Sequence, residues 1–510
     1  MSKIMTGERQ RPRPFRSGTS LLTLALGLAG LAAAGCVNTP RPTPDTRLPA
    51  AYEAPAGAAQ ADLDRWWISF NDPQLTSLIE TALEKAPDAR SAAAVLDEAR
   101  AVRKGQVRQI WIPSTPLTGN AGRTHTEILS QTVPAGGIPF TRGGDSDSYN
   151  ANFDVSWELD LFGRKRAGLG VVNNDFAAAR FAYEGARASL AANVAQSYFE
   201  ARGLAVQLDD ARQTERINSS LRDFAVKKAN AGLIATSEAD RAEADLADTQ
   251  ARAANLEAQL GAARRSLLIL VGRGVDPLAS LPVDVRLDLA PPVPATIPGD
   301  LLGRRPDVRE AQARLASASK TLKVNELALL PTFNITPGVG LSKSVSPSFG
   351  GGSGKSSTST STWTLGANVS IPVLNIPALL ADIDAQDART RQAAIAFEKA
   401  VQTAYGEAEN AMLQLAADQR RVDLLTAGEA RAQRAYEANR KGYGLGLIDL
   451  TTTLQAEQSW RASRSALTGA RTDALLHAVQ TYKALGGGWS PTSVAQTAKQ
   501  TANPTQVSSK

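Results

Sequence analysis

Few residues of this 510-residue chain have the types and spacing that catalysis needs. The two histidines, His125 and His477, lie far apart, one near a predicted strand and one in a predicted helix. This placement indicates neither a metal pair nor an acid–base pair. Residues Gly350–Lys355 have the composition of a phosphate-binding loop, but they lie between two alternating segments and open no predicted helix, so we interpret them as a surface loop. We therefore expect no enzyme activity and no metal.

The single cysteine indicates a different chemistry. Cys36 follows Leu-Ala-Ala-Ala-Gly at the end of an apolar run, residues 21–34, which is preceded by five basic residues. Such a run is typical of a secretion signal and is too short for a stop-transfer helix. The segment resembles a bacterial lipoprotein cleavage box, which implies that Cys36 becomes the mature N-terminus and carries a covalent lipid as the only added group. The alternative is a buried thiol without lipid.

The charge of the chain changes once the signal segment is removed. Residues 1–35 contain five basic residues and one acidic residue, so their loss lowers the formal net charge from +6 to +2. The pI of about 9.4 for the whole sequence is therefore weak evidence for nucleic-acid binding. We expect no nucleic-acid partner.

Residues 149–163 alternate between apolar and polar side chains with a period of two. This pattern predicts a strand with one apolar face and one polar face. By itself it fits a soluble sandwich or a membrane barrel. In a barrel, a water-filled lumen would be lined by Asn152, Asp154, Ser156 and Glu158, while lipid would contact Phe153, Val155, Trp157 and, from a second such segment, Trp363.

Long helical patterns follow this strand. Apolar residues recur at heptad spacing between Gly163 and Asn230, and at about 1.5 Å per residue an unbroken helix would extend roughly 100 Å. A short turn at 231–234 precedes a second heptad pattern that runs to Val271. Two helices joined by so short a turn must lie antiparallel, which predicts a coiled helical hairpin.

The second half of the chain repeats the first, with Gly232 and Gly446 separated by 214 residues. The chain is predicted to begin with a signal peptide (1–35) and a lipidated tether (36–65). A first repeat (66–272) contains a β-hairpin at about 114–162 and a helical hairpin at about 164–271, and a Pro-rich connector (273–299) follows it. A second repeat (300–486) contains a β-hairpin at about 332–374 and a helical hairpin at about 378–485, and a C-terminal tail (487–510) ends the chain.

Each chain thus supplies four predicted strands, and four strands cannot close a barrel. Roughly eight strands are needed merely to surround side chains, and open strand edges do not survive in lipid. If the strands lie in a membrane, several copies must share one barrel.

Four segments together resemble the outer membrane factor family, in the TolC-like or NodT-like lipoprotein branch of resistance-nodulation-division efflux systems. They are Trp157–Arg164, Leu301–Arg309, Ala328–Phe333 and Tyr482–Trp489, within a similarity that spans residues 66–489. The resemblance implies an α+β membrane protein: a homotrimer with a twelve-stranded transmembrane β-barrel in outer membrane lipid, continued by a long α-helical coiled-coil tunnel in the periplasm. A periplasmic adaptor (membrane fusion protein) and an inner membrane pump of the resistance-nodulation-division type would be its partners.

In this family the helical hairpin tips form the closed gate and meet the adaptor. The resemblance therefore makes tip residues the candidate sites, although glycine turns, packing within a hairpin and solvated helix caps would explain the same residues. Gln455 stands where family members often carry an acid. The candidates are Gly232, Leu233, Asp240, Tyr443, Gly444, Gly446, Leu447 and Asp449, with the two acids able to form a ring at the constriction.

Three functions fit these patterns. The first is a passive exit duct for small toxic molecules in a tripartite efflux system, and the second is the exit duct of a type I protein secretion system. The third is a lipid-anchored coiled-coil envelope spacer without transport. Four amphipathic strands argue against the spacer, and the lipid anchor and family motifs favour the efflux duct.

Overall fold

The structure, a computed structural model, describes residues 44–55, 62–130, 144–347 and 355–489. The predicted signal peptide, the lipidation site Cys36, most of the Gly350–Lys355 segment and residues 490–510 lie outside the described residues. Cleavage and lipidation therefore stay predictions.

Helices dominate the described part of the chain. Among these described helices, none is long and apolar enough to cross a membrane. The helices are α1 (Pro73–Lys85), α2 (Pro87–Trp111), α3 (Arg164–Asn230), α4 (Thr236–Leu270), α5 (Leu301–Arg304), α6 (Pro306–Leu327), α7 (Ile376–Gly444) and α8 (Leu450–Ala484), with short 3₁₀ turns at Trp66–Phe70, Leu278–Ser280 and Pro298–Asp300. The strands are β1 (Leu117–Thr126), β2 (Gly144–Asp154), β3 (Trp157–Leu159), β4 (Thr332–Pro347) and β5 (Lys355–Ser370).

The chain divides into two compact units. One contains residues 106–171 and 318–391, and with them every strand of the described chain. The other is helical and contains the described residues of 44–105, 172–317 and 392–489. Each unit therefore draws on both halves of the duplicated sequence.

The first unit is built on one antiparallel sheet in the order β1, β2, β4, β5. β3 continues β2 in the same register, because Asp154 faces Gly338 and Trp157 faces Ile335. The interruption falls at Pro337, whose carbonyl accepts from the Val155 N–H at 2.9 Å but which has no amide hydrogen to donate in return. β2 and β3 are thus one interrupted strand, and the prediction of four strands per chain is confirmed.

Two predicted loops are shorter in the structure. The Gly, Pro and Ser content of residues 129–148 and the Gly and Ser content of residues 346–361 predict loops, but β2 begins at Gly144 and β5 at Lys355. The added strand segments are mostly polar on both faces, so no period of two marks them in the sequence. Threonine nevertheless favours extended backbone, and register partners such as Val345 and Ser357 hold these ends in the sheet.

The second unit has an aromatic and alanine-rich core. Trp66 is fully buried and stacks on Tyr482, with 5.7 Å between the ring centroids. The predicted heptad seam of α3 is confirmed, since Val194 and Ala201 are buried completely. Alanine at such positions lets helices pack closely, as in a coiled coil.

A buried ion pair ties α1 to α3. Asp72 caps α1 by accepting from the backbone N–H groups of Gln74 and Leu75 at 2.9 and 3.1 Å. The same carboxylate accepts from Arg202 at 2.6 Å and from the Tyr198 hydroxyl at 2.8 Å. Burial, together with the hydrogen bond to Asp72, raises the pKa of Tyr198, so this hydroxyl stays a donor at physiological pH.

The C-terminal Gly-Gly-Gly-Trp segment packs closely against the backbones of Arg304 and Tyr482. A Cβ on Gly486, which has φ +76°, would lie 2.8 Å from the Arg304 backbone. A Cβ on Gly487 would lie 2.8 Å from the Tyr482 carbonyl oxygen, and the Trp489 indole donates to the Arg304 carbonyl oxygen at 2.7 Å. Glycine is required where backbones approach so closely. The predicted tail from residue 487 is therefore wrong at its start, because residues up to Trp489 belong to the core.

The described part of the predicted tether also packs against the helical unit. Tyr52 stacks on Tyr405 with 5.8 Å between ring centroids. The Ala54 N–H donates to the Glu409 carboxylate at 2.5 Å. Residues 44–55 have no helix or strand, as expected of a tether, but these contacts fix their path.

Candidate functional sites: hairpin tips and sheet faces

The two helical hairpins turn by the same backbone geometry. Gly232 and Gly446 have φ of 71° and 77°. The following residues close the turn, with Leu233 N–H donating to the Lys228 carbonyl at 2.9 Å and Leu447 N–H to the Gly442 carbonyl at 2.8 Å. Left-handed backbone of this kind ends many helices and favours glycine. A structural role thus accounts for Gly232 and Gly446.

Gly444 has a different position from the turn glycines. It is the last residue of α7, which continues three residues into the turn that the sequence predicts at Gly442–Leu447. A Cβ on Gly444 would meet nothing within 4 Å. The turn itself therefore places no demand for glycine there.

The leucines that follow the turn glycines are exposed. Leu233 is 73% exposed and Leu447 78%, and Leu445 is 75% exposed. Packing within their own hairpins, the alternative explanation, is therefore wrong for this chain. Each tip presents apolar surface to its surroundings.

Tyr443 is buried within the chain instead of being presented at the tip. It is 5% exposed and packs in a cluster with Leu221 and Leu450. The Lys228 ammonium lies 4.0 Å from the centroid of its ring, a cation–π contact between α3 and α7. Its hydroxyl has no hydrogen-bond partner among the described residues, and burial raises its pKa. Tyr443 thus links the two hairpins.

The two candidate acids differ in their surroundings. Asp449 caps α8 by accepting from the Thr452 N–H at 2.6 Å and from its hydroxyl at 3.1 Å. These bonds lower the pKa of its carboxyl. Asp240 is exposed on α4, whose own cap residue, Ala235, has no side-chain acceptor. The cap explanation therefore holds for Asp449, while a gate role for either acid stays a prediction.

The structure adds tip features that sequence reasoning missed. A groove of about 490 Å³ is lined by apolar and basic side chains of α3 and α7, among them Phe224, Arg216 and Arg440. Phe224 is 56% exposed. Glu457 of α8 is buried, and burial raises its pKa. The only sequence signal of the groove is Phe224, an aromatic residue beside the charged Arg222 and Asp223.

The sheet has one apolar and one polar face, as predicted. Leu117, Phe153, Val339 and Trp363 are register partners across all four strands, and they are exposed by 76, 44, 53 and 80%. Val155 and Trp157 continue this face. In water such a row would be unfavourable, because contiguous apolar surface is normally covered. The polar face carries Asn152, Asp154 and Ser156, all exposed.

Glu158 ends the polar face in an ion pair. Both of its carboxylate oxygens accept from Arg164 at 2.7 Å. Asp160 accepts from the backbone N–H of Lys165 at 2.9 Å, and Gly163 has φ +82°. The chain thus passes from β3 through a turn at Gly163 into α3, whose first turn is capped by Asp160. Glu158 is therefore a neutralised member of the predicted lumen set.

The two histidines are each paired with one carboxylate. His125 Nδ1 lies 2.7 Å from Asp145, and His477 Nδ1 lies 2.5 Å from the buried Asp418. Among the described residues, no three metal-ligating side chains of the His, Cys, Asp or Glu type converge. The two histidines belong to different compact units of the chain.

Comparisons with known proteins agree with these features. The family described as outer membrane efflux protein matches residues 78–273 and 297–487, which correspond to the two repeats. The chain is 27% identical over 482 residues to the probable efflux pump outer membrane protein TtgC of Pseudomonas putida, covering 91% of this chain and 95% of that protein. It is 28% identical over 481 residues to the pyoverdine export outer membrane protein OpmQ of Pseudomonas aeruginosa, covering 92% and 98%.

Solved structures show the same fold. The outer-membrane channel OprN superimposes with a TM-score of 0.73 at 28% identity, covering 88% of this chain and 99% of that chain. The Campylobacter jejuni CmeC outer membrane channel gives a TM-score of 0.75 at 20% identity, covering 91% and 99%. The chain therefore belongs to the outer membrane efflux protein family. It is an outer membrane efflux channel component, as the sequence predicted.

Proposed function

We propose that three copies of this chain form a passive exit duct of a tripartite efflux system. The duct joins a twelve-stranded barrel in the outer membrane to an α-helical tunnel in the periplasm. The observation that carries the proposal is the sheet, whose apolar face crosses all four strands while its outer strands stay unpaired. Among the described strands, β1 pairs only with β2, and β5 pairs only with β4.

Unpaired edges are the reason for several copies. In lipid each unsatisfied backbone group costs several kcal/mol, so a spanning sheet must close on itself. Joining β1 of one copy to β5 of the next satisfies both edges without new secondary structure. Three copies of four strands give twelve, which leaves a lumen wider than that of an eight-stranded barrel. Asn152, Asp154 and Ser156 would then face water, and Phe153 and Trp363 lipid.

The hairpin tips fit a docking role in this assembly. Leu233, Leu445 and Leu447 are exposed apolar residues on a surface whose neighbouring groove carries Arg216 and Arg440. A periplasmic adaptor that presents apolar and acidic side chains would complement both features. An inner membrane pump of the resistance-nodulation-division type would supply the energy.

The cargo class follows from the relatives. Their names include toluene, antibiotic and pyoverdine export. We propose small toxic molecules as the cargo of this duct. The proposed covalent lipid on Cys36 would hold each copy to the membrane in addition to the barrel.

Deletion of the gene tests this function. We expect the deletion strain to become more susceptible to a panel of dyes, solvents and antibiotics, and the wild-type gene to restore resistance. Unchanged susceptibility together with loss of a secreted protein would instead indicate the exit duct of a type I secretion system. Unchanged susceptibility and secretion with altered envelope spacing would indicate a spacer.

A further inference from the structure

Charged residues are confined to one end of the otherwise apolar sheet face. On this face, the register partners from Leu159 up to Ala151 carry no charge. Charge begins where Tyr149 pairs with Lys343. Beyond that row lie Arg123, paired with Asp147, and His125, paired with Asp145, with Lys355 on β5 at the same end of the sheet.

The position of this boundary matches the thickness of a membrane. The ten residue steps from Leu159 to Tyr149 extend about 33 Å along a strand, or about 25 Å across a membrane at a tilt of about 40°. The apolar band of outer membrane barrels has about this height, and aromatic side chains mark its borders. Tyr149, which is 50% exposed, stands at this border. The charged rows therefore lie at the level of lipid headgroups.

Two of the cations in these rows are free to meet a ligand. Arg123 is neutralised by Asp147 through bonds of 2.6 and 3.1 Å, and His125 contacts Asp145 at 2.7 Å. Lys343 and Lys355 are exposed and form no ion pair within 4 Å of any described carboxylate, although the charge of Lys355 acts on Asp145 and Asp147 at longer range. The patch thus has three permanent cations against two carboxylates.

We propose that Lys343 and Lys355 bind the phosphate groups of a phosphorylated glycolipid in the outer leaflet of the outer membrane. The strands end at this border in the β1–β2 and β4–β5 connections, whereas α3 and α7 follow the opposite end of the sheet. If the helices occupy the periplasm, the patch faces the outer leaflet. The inference therefore rests on the proposed barrel, with the apolar face toward lipid.

The chemistry suits a phosphate better than a zwitterionic headgroup. A lysine ammonium is a compact point charge that binds phosphate oxygens without a fixed geometry. Basic residues beside a membrane attract anionic headgroups, with each lysine worth about fivefold in affinity. Arg123 offsets the charge of the neighbouring Asp147 through its ion pair, and the two lysines together outweigh the remaining carboxylate, Asp145.

The test compares lipid binding by assembled, full-length protein in detergent. The probes are a lipopolysaccharide truncated to its phosphorylated lipid A core, the same glycolipid after removal of its phosphates, and phosphatidylcholine. We expect Lys343→Gln combined with Lys355→Gln to weaken binding of the phosphorylated glycolipid about thirtyfold. Lys399→Gln, an exposed lysine of α7 in the helical unit, is the matched control and should bind as wild type does.

Three results would overturn the inference. One is equal affinity of wild-type protein for the phosphorylated and dephosphorylated glycolipids, which needs no variant. The second is unchanged binding by the double Gln variant. A double Arg variant, which keeps both charges, should bind the phosphorylated glycolipid as wild type does. Competition by free inorganic phosphate at equal concentration would show a simple anion site and would also contradict a headgroup site. A variant that loses glycolipid binding but still restores drug resistance would show that the site and the proposed function can be tested independently.

Discussion

At Phe153 and Asn152, neighbouring side chains of β2 lie on opposite faces of the sheet. Phe153 belongs to the exposed apolar row that ends at Trp363, whereas Asn152 lies opposite Gly340, where a Cβ would come within 2.8 Å of the Asn152 amide oxygen. The pattern of the sequence sufficed to predict this alternation. Substitutions on each face can determine which of the two faces contacts lipid.

Charge on the two faces should have unequal effects. We expect Phe153→Lys or Trp157→Lys to cost about 2–4 kcal/mol near the middle of a bilayer, because a lysine there loses its hydration. Asn152→Lys and Ser156→Lys are the matched controls, since a water-filled lumen accommodates the same charge. The measurement is the yield of assembled protein in isolated outer membranes. Equal yields for the two pairs would show that the face assignment is wrong.

The acids of the hairpin tips can be separated by substitutions that distinguish charge from capping. Asp449→Asn keeps an acceptor for the Thr452 N–H but removes the charge, whereas Asp449→Ala removes both. If charge closes the gate, Asp240→Asn combined with Asp449→Asn should raise the open probability in planar bilayers. Higher open probability only with Asp449→Ala would assign the effect to the cap of α8. Unchanged closure in every variant would remove these acids from the gate.

The cap itself should resist mild acid. The Thr452 bonds lower the pKa of Asp449 in the folded state below its ordinary value. A carboxyl with a lowered folded pKa contributes stability above its unfolded pKa and loses it as the pH falls through the folded value. Closure that depends on this cap should therefore be the same at pH 7 and pH 5.

At the scale of elements, the sequence predicted the long helices best. Heptad spacing predicted α3 and α4, and the internal repeat predicted α7 and α8, each to within a few residues. Strand ends were predicted poorly, since Lys355–Thr362 is polar on both faces and lacks a period of two. The in-register break at Pro337 depends on pairing with Val155, which no local pattern specifies.

Contacts between distant segments account for the rest of what sequence reasoning missed. Tyr443 was expected at the tip surface, but Lys228 covers its ring and Leu221 packs beside it. Glycine is required at positions 486 and 487 because the backbones of Arg304 and Tyr482 lie too close for a Cβ. Such contacts join residues far apart in the chain, so residue type and spacing do not reveal them.

For the whole molecule, the duplicated sequence and the four-stranded sheet lead to one requirement. A single chain leaves β1 and β5 without partners on their outer sides among the described strands, and lipid provides none. If the sheet spans lipid, as we propose, several copies must share one barrel. The same closure would produce the lumen that the proposed exit duct needs.

The mass of the complex extracted from outer membranes tests this claim most directly. Native mass spectrometry of the protein, released in a mild detergent without cross-linking, should show three chains, each of the mass expected after cleavage before Cys36 and lipidation. Three chains would supply the twelve strands that close the barrel. A single chain would contradict the shared barrel, and two chains would contradict its twelve strands, so either result would contradict the proposed duct.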